Sequence, residues 1–239
     1  MSAEAPNDDS LPAAPTPAAA GLAEHVYLLL KAEVINDQFA AGERIVIESV
    51  AIRLGVSPTP VREALARLAG EQLVSFRAYV GYSALPPLSV TELRDLFEAR
   101  EVIECAGAVR ACERSTEADL ARLREIDARI RAGHYGKDRY SEFVAFVNDN
   151  QRFHEALIDG ARNPELRRAL DALNYEARIA RRTRGRGVPD LSLICEEHTA
   201  IIEALAARDA DALVAAVRSH ARESHRRLVD DLARISVVS

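Results

Sequence analysis

Hydrophobic residues along most of this chain recur every three or four positions, which is the spacing of amphipathic helices. The first such segment runs from Ala20 to Asp37 and ends at an Ala41–Arg44 turn. A second, shorter segment starts near residue 47, and a third places Val61, Leu65 and Leu68 on one face. The pattern therefore predicts three helices in the first third of the chain.

The second and third of these helices are joined by a tight turn. Gly55 can end a helix in the left-handed conformation, and Ser57 suits the start of the next one. Pro58 and Pro60 fall in the first turn of the new helix, where a missing N–H costs nothing. Polar residues face outward from this third helix: Ser57, Thr59, Arg62 and Arg67. Residues 47–66 therefore predict a helix-turn-helix that enters a DNA major groove, although an ordinary helical hairpin has the same pattern.

Two short β-prone runs follow directly, over residues 71–77 and 79–85, with a brief polar turn between them. They predict a two-stranded wing, in which Gly81 would let the backbone approach DNA closely. Residues 19–86 then form a winged helix-turn-helix domain, which ends at Leu85–Leu88, where two prolines exclude a continuous helix.

Beyond that linker every segment has helical spacing, and no strand pattern returns. Ser89 and Glu92 form a capping box at the start of the first helix. The predicted helices are Ser89–Arg114, Thr116–Ala132, Arg139–Gly160, Pro164–Thr183, Leu191–Ala207 and Asp209–Ser236. The predicted fold is mainly α, with a winged helix-turn-helix and, over residues 87–239, an antiparallel bundle of about six helices.

Composition and charge limit the classes of protein to which this chain can belong. The 239 residues carry a formal net charge of −6, which argues against a protein that coats DNA indiscriminately but allows a local basic surface. No stretch approaches the ~20 apolar residues of a membrane span. Residues 1–18 are rich in Ala and Pro and contain no Lys or Arg, so we expect a disordered tail and no signal peptide. A cytoplasmic protein that does not contact a membrane is expected.

The candidate chemistry of the bundle lies in its histidines. Asn150 and His154 are four residues apart and project from one helix face. The hairpin at residues 207–211 places His198 and His220 level on two antiparallel helices. Three imidazoles and one amide oxygen suit Zn²⁺ or Ni²⁺. Each histidine is also compatible with a purely structural role.

The N-terminal residues resemble the GntR family of transcriptional regulators, from Gly42–Ile45 through Val50–Leu68 to Leu73–Val74 and Val80–Gly81. The histidine segments Phe153–Leu157 and Glu197–Ile201, together with His220 and Leu96–Glu104, resemble the FCD domain of the FadR-type branch. Glu48 and Pro58 stand where the family often has arginine, at positions that can touch DNA.

This resemblance implies a ligand-responsive regulator, usually a repressor, that binds a near-palindromic double-stranded operator as a homodimer. Its effector would be a small carboxylate, with Arg100 as the clamp, because guanidinium matches carboxylate in a two-pronged hydrogen bond. A salt bridge from Arg100 to Glu104 is the alternative. Two rival functions use the same bundle: an enzyme with a water-activating metal, or a sensor for which the metal is itself the signal.

Overall fold

The computed structural model describes residues 17–133, 135, 140–183 and 190–236, so residues 1–16 of the expected tail lie outside it. The N-terminal part has helices α1 (Pro17–Ile35), α2 (Ile47–Leu54) and α3 (Pro58–Gly70). Strands β1 (Arg44–Ile45), β2 (Val74–Arg77) and β3 (Gly81–Ala84) form an antiparallel sheet in the order β1-β3-β2. The predicted winged helix-turn-helix is confirmed.

The turn between α2 and α3 has the conformation that its residues predict. Gly55 ends α2 with φ +66°, and its N–H lies against the carbonyls of Ala51 and Ile52. Ser57 occupies the N-cap of α3 in an extended conformation, but its hydroxyl makes no capping hydrogen bond. The start of α3 therefore depends on the prolines of its first turn, whose fixed φ suits a helix.

The wing gains a strand that the sequence did not indicate. β1 pairs with β3, with Arg44 opposite Ser83 and Ile45 opposite Tyr82, where only a turn over residues 41–44 was predicted. Two residues are too few to show the alternation of a strand. Ile45 is nevertheless 2% exposed, so the pairing closes the core of the N-terminal domain.

The bundle contains seven helices within the described residues, one more than predicted. They are α4 (Val90–Arg114), α5 (Glu117–Ala132), α6 (Tyr140–Gly160), α7 (Pro164–Ala172), α8 (Tyr175–Thr183), α9 (Leu191–Ala206) and α10 (Ala210–Ser236). The single predicted helix over 164–183 is wrong, because the chain breaks at Asn174, which has φ +47°. Asparagine tolerates this left-handed conformation, and no Gly or Pro marks the break.

Packing of the bundle places one group of helices around a common centre. α4 lies against α10 and α6, and α9 lies against α10 and α5. The predicted capping box holds the start of α4: Ser89 and Glu92 bond reciprocally. None of the helices in the described part of the chain combines the length and the apolar character needed to cross a membrane.

Helix α8 contacts the winged domain directly. Arg181, only 3% exposed, donates from Nη1 to the Leu73 carbonyl at 3.2 Å and from Nη2 to Asp37 Oδ1 at 3.3 Å. Just before α8, Asn174 Nδ2 donates to the Gly70 carbonyl at 2.9 Å. The two domains are therefore joined by polar contacts, of which the Arg181–Leu73 hydrogen bond is buried, as well as by the linker.

Candidate metal centre and nucleic-acid surface

Three histidines from three helices meet in the centre of the bundle. α6 contributes His154, α9 contributes His198 and α10 contributes His220, and one ring nitrogen from each lies within 4.8 Å of the others. Each of the three residues is at most 1% exposed. The α9–α10 hairpin brings the last two rings level as predicted, with centroids 5.0 Å apart.

Two of the imidazoles are oriented by carboxylates from neighbouring helices. Glu104 Oε2 lies 2.9 Å from His154 Nδ1, and Glu197 Oε2 lies 2.8 Å from His220 Nδ1. A carboxylate at Nδ1 accepts a hydrogen bond from the Nδ1–H group, so the neutral ring keeps its lone pair on Nε2. Both Nε2 lone pairs consequently point toward the centre of the cluster.

The third imidazole is held more loosely by its carboxylate and more firmly by an aromatic ring. Asp127 Oδ1 is 3.4 Å from His198 Nδ1, without the alignment of a hydrogen bond. Phe153 stacks on the His198 ring at 3.8 Å with an interplanar angle of 10°. Neither ring nitrogen of His198 has a hydrogen-bond partner among the described residues, although both are buried.

An arginine pairs with each of these carboxylates and completes three imidazole–carboxylate–arginine chains. In each chain an arginine nitrogen lies 2.5–2.6 Å from a carboxylate oxygen. The chains are His154–Glu104–Arg100, His198–Asp127–Arg131 and His220–Glu197–Arg227. Because each carboxylate is neutralised by its arginine, the three imidazoles and their partners carry no net charge.

Burial and neighbouring positive charge keep the imidazoles neutral. Burial, followed by the charge of Arg100, lowers the pKa of His154 to about 3, and burial lowers the pKa of His198 to about 4. Burial lowers the pKa of His220 as well. Burial alone would raise the pKa of each carboxylate, but the arginine and histidine partners outweigh it and hold that of Glu197 at about 2.

The donor set fits a divalent transition metal. His154 Nε2 and His220 Nε2 lie 3.2 Å apart, and two lone pairs at this distance repel unless a cation accepts both. Two nitrogens that bind one ion at ~2.1 Å, at angles between square and tetrahedral, are separated by roughly 3.0–3.4 Å. One turn before His154, Asn150 is 9% exposed, and its buried Oδ1 has no hydrogen-bond partner in the part of the chain that the structure describes. The predicted oxygen donor is thus unsatisfied by the protein.

Arg100 forms the salt bridge to Glu104 that was the alternative to an effector clamp, and both side chains are buried. Its Cζ atom also lies 4.1 Å from the centre of the Tyr175 ring at the start of α8. The charge of Arg100 lowers the pKa values of all three clustered histidines, so its guanidinium acts on the same centre.

Sequence reasoning missed Asp127, the pairing of Glu104 and Glu197 with imidazoles, and two of the arginines. Glu197 directly precedes His198 on α9, and its carboxylate reaches His220 on the next helix. Asp127 lies on α5, which has no histidine in the described residues. Charged residues at buried helix positions were the available signal, but only tertiary packing reveals which imidazole each one meets.

The predicted DNA-contacting side chains largely share the exposed face of α3. Ser57, Thr59 and Arg62 are exposed, and Arg62 forms no hydrogen bond or ion pair within the described residues. Arg67 differs: its Cζ lies 3.6 Å from the Tyr27 ring, and its Nη1 pairs with Glu24 on α1. The guanidinium of Arg67 is therefore engaged within the protein.

Gly81 opens β3 with φ +94°, a conformation that L side chains rarely adopt. A Cβ built at this position would lie 3.9 Å from Arg44 Nε, so the glycine has an arginine beside it. Before it, at the tip of the wing, Tyr79 is fully exposed with φ +64°. The wing thus presents backbone, a cation and an aromatic ring on one edge.

Comparison with known families matches both halves of the chain. Residues 22–83 match the model of bacterial regulatory proteins of the gntR family, and residues 95–223 match the FCD domain. These matches cover the winged domain and the helices that contribute the three histidines.

Individual relatives match over most of their length. The uncharacterized HTH-type transcriptional regulator BphR of Paraburkholderia xenovorans (strain LB400) is 29% identical over 221 residues, which cover 89% of this chain and 88% of that protein. The Nta operon transcriptional regulator of Aminobacter aminovorans is 30% identical over 196 residues, covering 82% and 89%. The HTH-type transcriptional repressor RspR of Escherichia coli (strain K12) is 28% identical over 205 residues, covering 84% and 86%. The solved structure of E. coli McbR/YncC shares the fold, with a TM-score of 0.66 at 22% identity, over 88% of this chain and 98% of that one.

Because the buried imidazoles are neutral, the free energy of unfolding of the metal-free protein should decrease as the pH is lowered. In the unfolded chain histidine titrates near pH 6.5, whereas the folded pKa values of His154 and His198 are about 3 and about 4. As pH falls below about 6.5, these histidines bind protons in the unfolded state but stay neutral in the folded state. The free energy of unfolding therefore decreases. We expect a loss of about 2 kcal/mol or more between pH 7 and pH 5, measured by urea unfolding with a chelator present.

The substitution His198→Phe removes one of these titrating groups and retains an aromatic ring against Phe153. Its unfolding free energy should fall less steeply over the same pH range. A wild-type stability that is constant from pH 7 to pH 5, or an equal slope in the variant, would contradict the neutral buried state.

Proposed function

This chain belongs to the GntR family of bacterial transcriptional regulators and carries an FCD domain, and we propose that it is a ligand-responsive repressor. It binds a near-palindromic operator as a homodimer in the cytoplasm, and its bundle holds a divalent metal and a small organic acid. The observation that carries this proposal is the buried cluster of His154, His198 and His220 inside a DNA-binding protein. One of the relatives, RspR, is itself named a repressor.

On the DNA side, α3 enters the major groove with the exposed face that carries Ser57, Thr59 and Arg62. Arg62 contacts a base edge or a phosphate, and Gly81 brings the wing backbone to the adjacent groove. Arg67 supports this face, and its guanidinium also lies over the Tyr27 ring and pairs with Glu24. Two copies related by a two-fold axis read the two half-sites.

On the sensing side, the three histidines would hold the metal, His154 and His220 through Nε2, and Asn150 Oδ1 would supply a fourth donor. A bound Zn²⁺ or Ni²⁺ supplies a Lewis-acid centre for a carboxylate ligand. Every one of these donors is neutral, and the surrounding ion pairs balance one another. An anionic ligand is therefore the natural complement of the loaded site, and Arg100 lies beside it as a second cation.

Helix α8 couples the two sides. Tyr175, at its start, packs beneath Arg100, and Arg181, nearer its end, holds Leu73 and Asp37 of the winged domain. A ligand that moves Arg100 therefore displaces a helix that contacts the DNA-binding domain. Such a displacement changes operator affinity only if the ligand binds the two arrangements with different free energies.

The DNA contact is tested by Arg62→Ala. An operator selected from a random DNA library by the wild-type protein should bind the variant about 10- to 100-fold more weakly, because a specific arginine contact contributes about 1–3 kcal/mol. The exposed Arg168 on α7, changed to alanine, is the matched control and should leave affinity unchanged. Equal affinities of wild type and Arg62→Ala, measured by fluorescence anisotropy, would remove Arg62 from the interface.

The metal site is tested by His198→Ala. Protein reloaded with zinc should hold about one metal per chain, and the variant should retain well under half of it in elemental analysis. His225→Ala is the matched control, because His225 lies on α10 with His220 but packs against Phe97 outside the cluster. Full metal occupancy in His198→Ala would refute the site.

The effector class is tested on the same proteins with a panel of small carboxylic acids. Binding should raise the melting temperature of zinc-loaded wild type and have no effect after chelation, because a ligand that binds the folded state stabilises it by mass action. A response of operator affinity to zinc alone would instead select the metal-sensor function. Metal-dependent consumption of an acid would select the enzyme.

The coupling through α8 is tested by Arg181→Met, with Arg168→Met as control. Zinc added to metal-free wild type should slow amide exchange in α9 and α10 and also around Asp37 and Leu73. In Arg181→Met only the bundle should respond, because the winged domain has lost its buried contact. Equal protection around Leu73 in both proteins would exclude this route.

A further inference from the structure

The tip of the wing holds a tyrosine at a position that favours glycine. Residues Arg77–Val80 form a turn, which a hydrogen bond from the Val80 N–H to the Arg77 carbonyl closes at 3.1 Å. Tyr79 is the third residue of this turn and has φ +64°, where Gly and Asn are favoured because a Cβ is strained. Its side chain is fully exposed and makes no hydrogen bond or ring contact within the described residues. A strained residue that gains no contact from its own fold is typical of a site that binds another molecule.

Unpaired arginines accompany this tyrosine, although the winged domain as a whole is not basic. Residues 19–86 contain seven Asp and Glu but only six Lys and Arg, so their net charge does not attract DNA. Three of the cations are neutralised within the domain, in the pairs Lys31–Glu71, Arg53–Glu33 and Arg67–Glu24. The other three side chains form no ion pair or hydrogen bond in the part of the chain that the structure describes: Arg44, Arg62 and Arg77. The available cations are therefore those of α3 and the wing.

The sheet order β1-β3-β2 places both wing arginines on one face, on either side of β3. Arg77 on β2 pairs with Gly81. Arg44 on β1 pairs with Ser83, two residues farther along β3. Side chains two residues apart in a strand, and those paired across strands, project from the same face of a sheet. One polar face of the wing therefore carries a cation on each side of β3, next to the turn that holds Tyr79.

An exposed ring with flanking cations is complementary to the minor groove of DNA. Each edge of the groove is a row of phosphates, and its width of about 6 Å admits an aromatic ring edge-on. Sugars can pack on the faces of the ring, and its hydroxyl can donate to the acceptors that every A·T pair presents. A G·C pair adds an amino group to the floor of the groove, where the ring would lie. The minor groove of A·T-rich DNA is also narrower and more negative, which favours flanking arginines.

We propose that Tyr79 enters the minor groove beside each α3 contact and selects an A·T pair there, while Arg44 and Arg77 bind the flanking phosphates. The proposal rests on the proposed function only for the binding of a duplex operator. It adds a second element that reads sequence, because α3 contacts base edges in the major groove whereas Tyr79 discriminates A·T from G·C in the minor groove. Tyr79 is thus a specificity-determining residue in addition to Arg62.

Base substitution in the operator tests which groove is read. From a random DNA library the wild-type protein should select A·T at one fixed position in each half-site, outside the positions that Arg62→Ala affects. G·C at that position should weaken binding about tenfold or more, which is the usual effect of a wrong base pair. Inosine·cytosine should restore most of the affinity, because it matches G·C in the major groove but lacks the amino group in the minor groove. Inosine·cytosine that binds as weakly as G·C would show major-groove reading and overturn the proposal.

The residue is tested by Tyr79→Gly in the full-length protein. Glycine adopts φ +64° without strain, so the melting temperature of the variant should be at least that of the wild type. The variant should bind the selected operator about tenfold more weakly, and it should bind the A·T and G·C versions equally. Leu193→Ala is the matched control, since it shortens a 44% exposed apolar side chain on α9 and should change neither affinity nor discrimination.

The flanking cations are tested by Arg44→Met and Arg77→Met. Each should weaken binding to the A·T and G·C operators by the same factor and reduce the salt dependence by about one phosphate contact per chain. An unchanged salt dependence in both variants removes these arginines from the interface.

The outcomes separate this proposal from the proposed function. A wild-type selection without the A·T preference, or equal discrimination by Tyr79→Gly and wild type, overturns the role of Tyr79 while the Arg62→Ala and metal tests remain valid. A wild type that selects no operator overturns the proposed function itself.

Discussion

The three imidazole–carboxylate–arginine chains at the centre of the bundle are the constraint on which the rest of the domain depends. Each carboxylate is taken out of water at a cost that only its arginine and its imidazole offset. Removing one partner of the fully buried Arg100–Glu104 pair costs about 3–5 kcal/mol, because the other charge remains without compensation, whereas the Arg131–Asp127 pair costs less to break since Arg131 is 43% exposed. The helices that supply these groups, α4, α5, α6, α9 and α10, are therefore fixed in register by electrostatics as well as by packing.

The same chains explain why the imidazoles are available as ligands. A carboxylate at Nδ1 fixes the tautomer, and the arginine behind it stops the carboxylate from drawing a proton onto the ring. Burial of the rings, together with the charge of Arg100, outweighs the opposing effect of the carboxylates and lowers the pKa values of His154 and His198. A cluster that served only structure would gain more from apolar side chains of similar volume, since burying polar groups without partners is costly.

The sequence predicted the structural features that depend on residues close together in the chain. Gly55 and the proline-rich start of α3 specify the helix-turn-helix within a dozen residues, and the length of the α9–α10 hairpin brings His198 level with His220. Sequence did not predict what depends on distant packing. Asp127 meets His198 across two helices, and the break at Asn174 depends on a left-handed residue whose side chain bonds to Gly70 in the other domain. Nothing within one element encodes either contact.

Helix α4 connects the histidine cluster to the helix that contacts the winged domain. Its inner face places Arg100 and Glu104 against the histidines, and Arg100 in turn contacts Tyr175 of the helix that holds the winged domain. Packed interiors transmit small displacements because they are close to incompressible. A shift of Arg100 by a bound anion must therefore be accommodated by Tyr175, by Glu104 or by α4 itself.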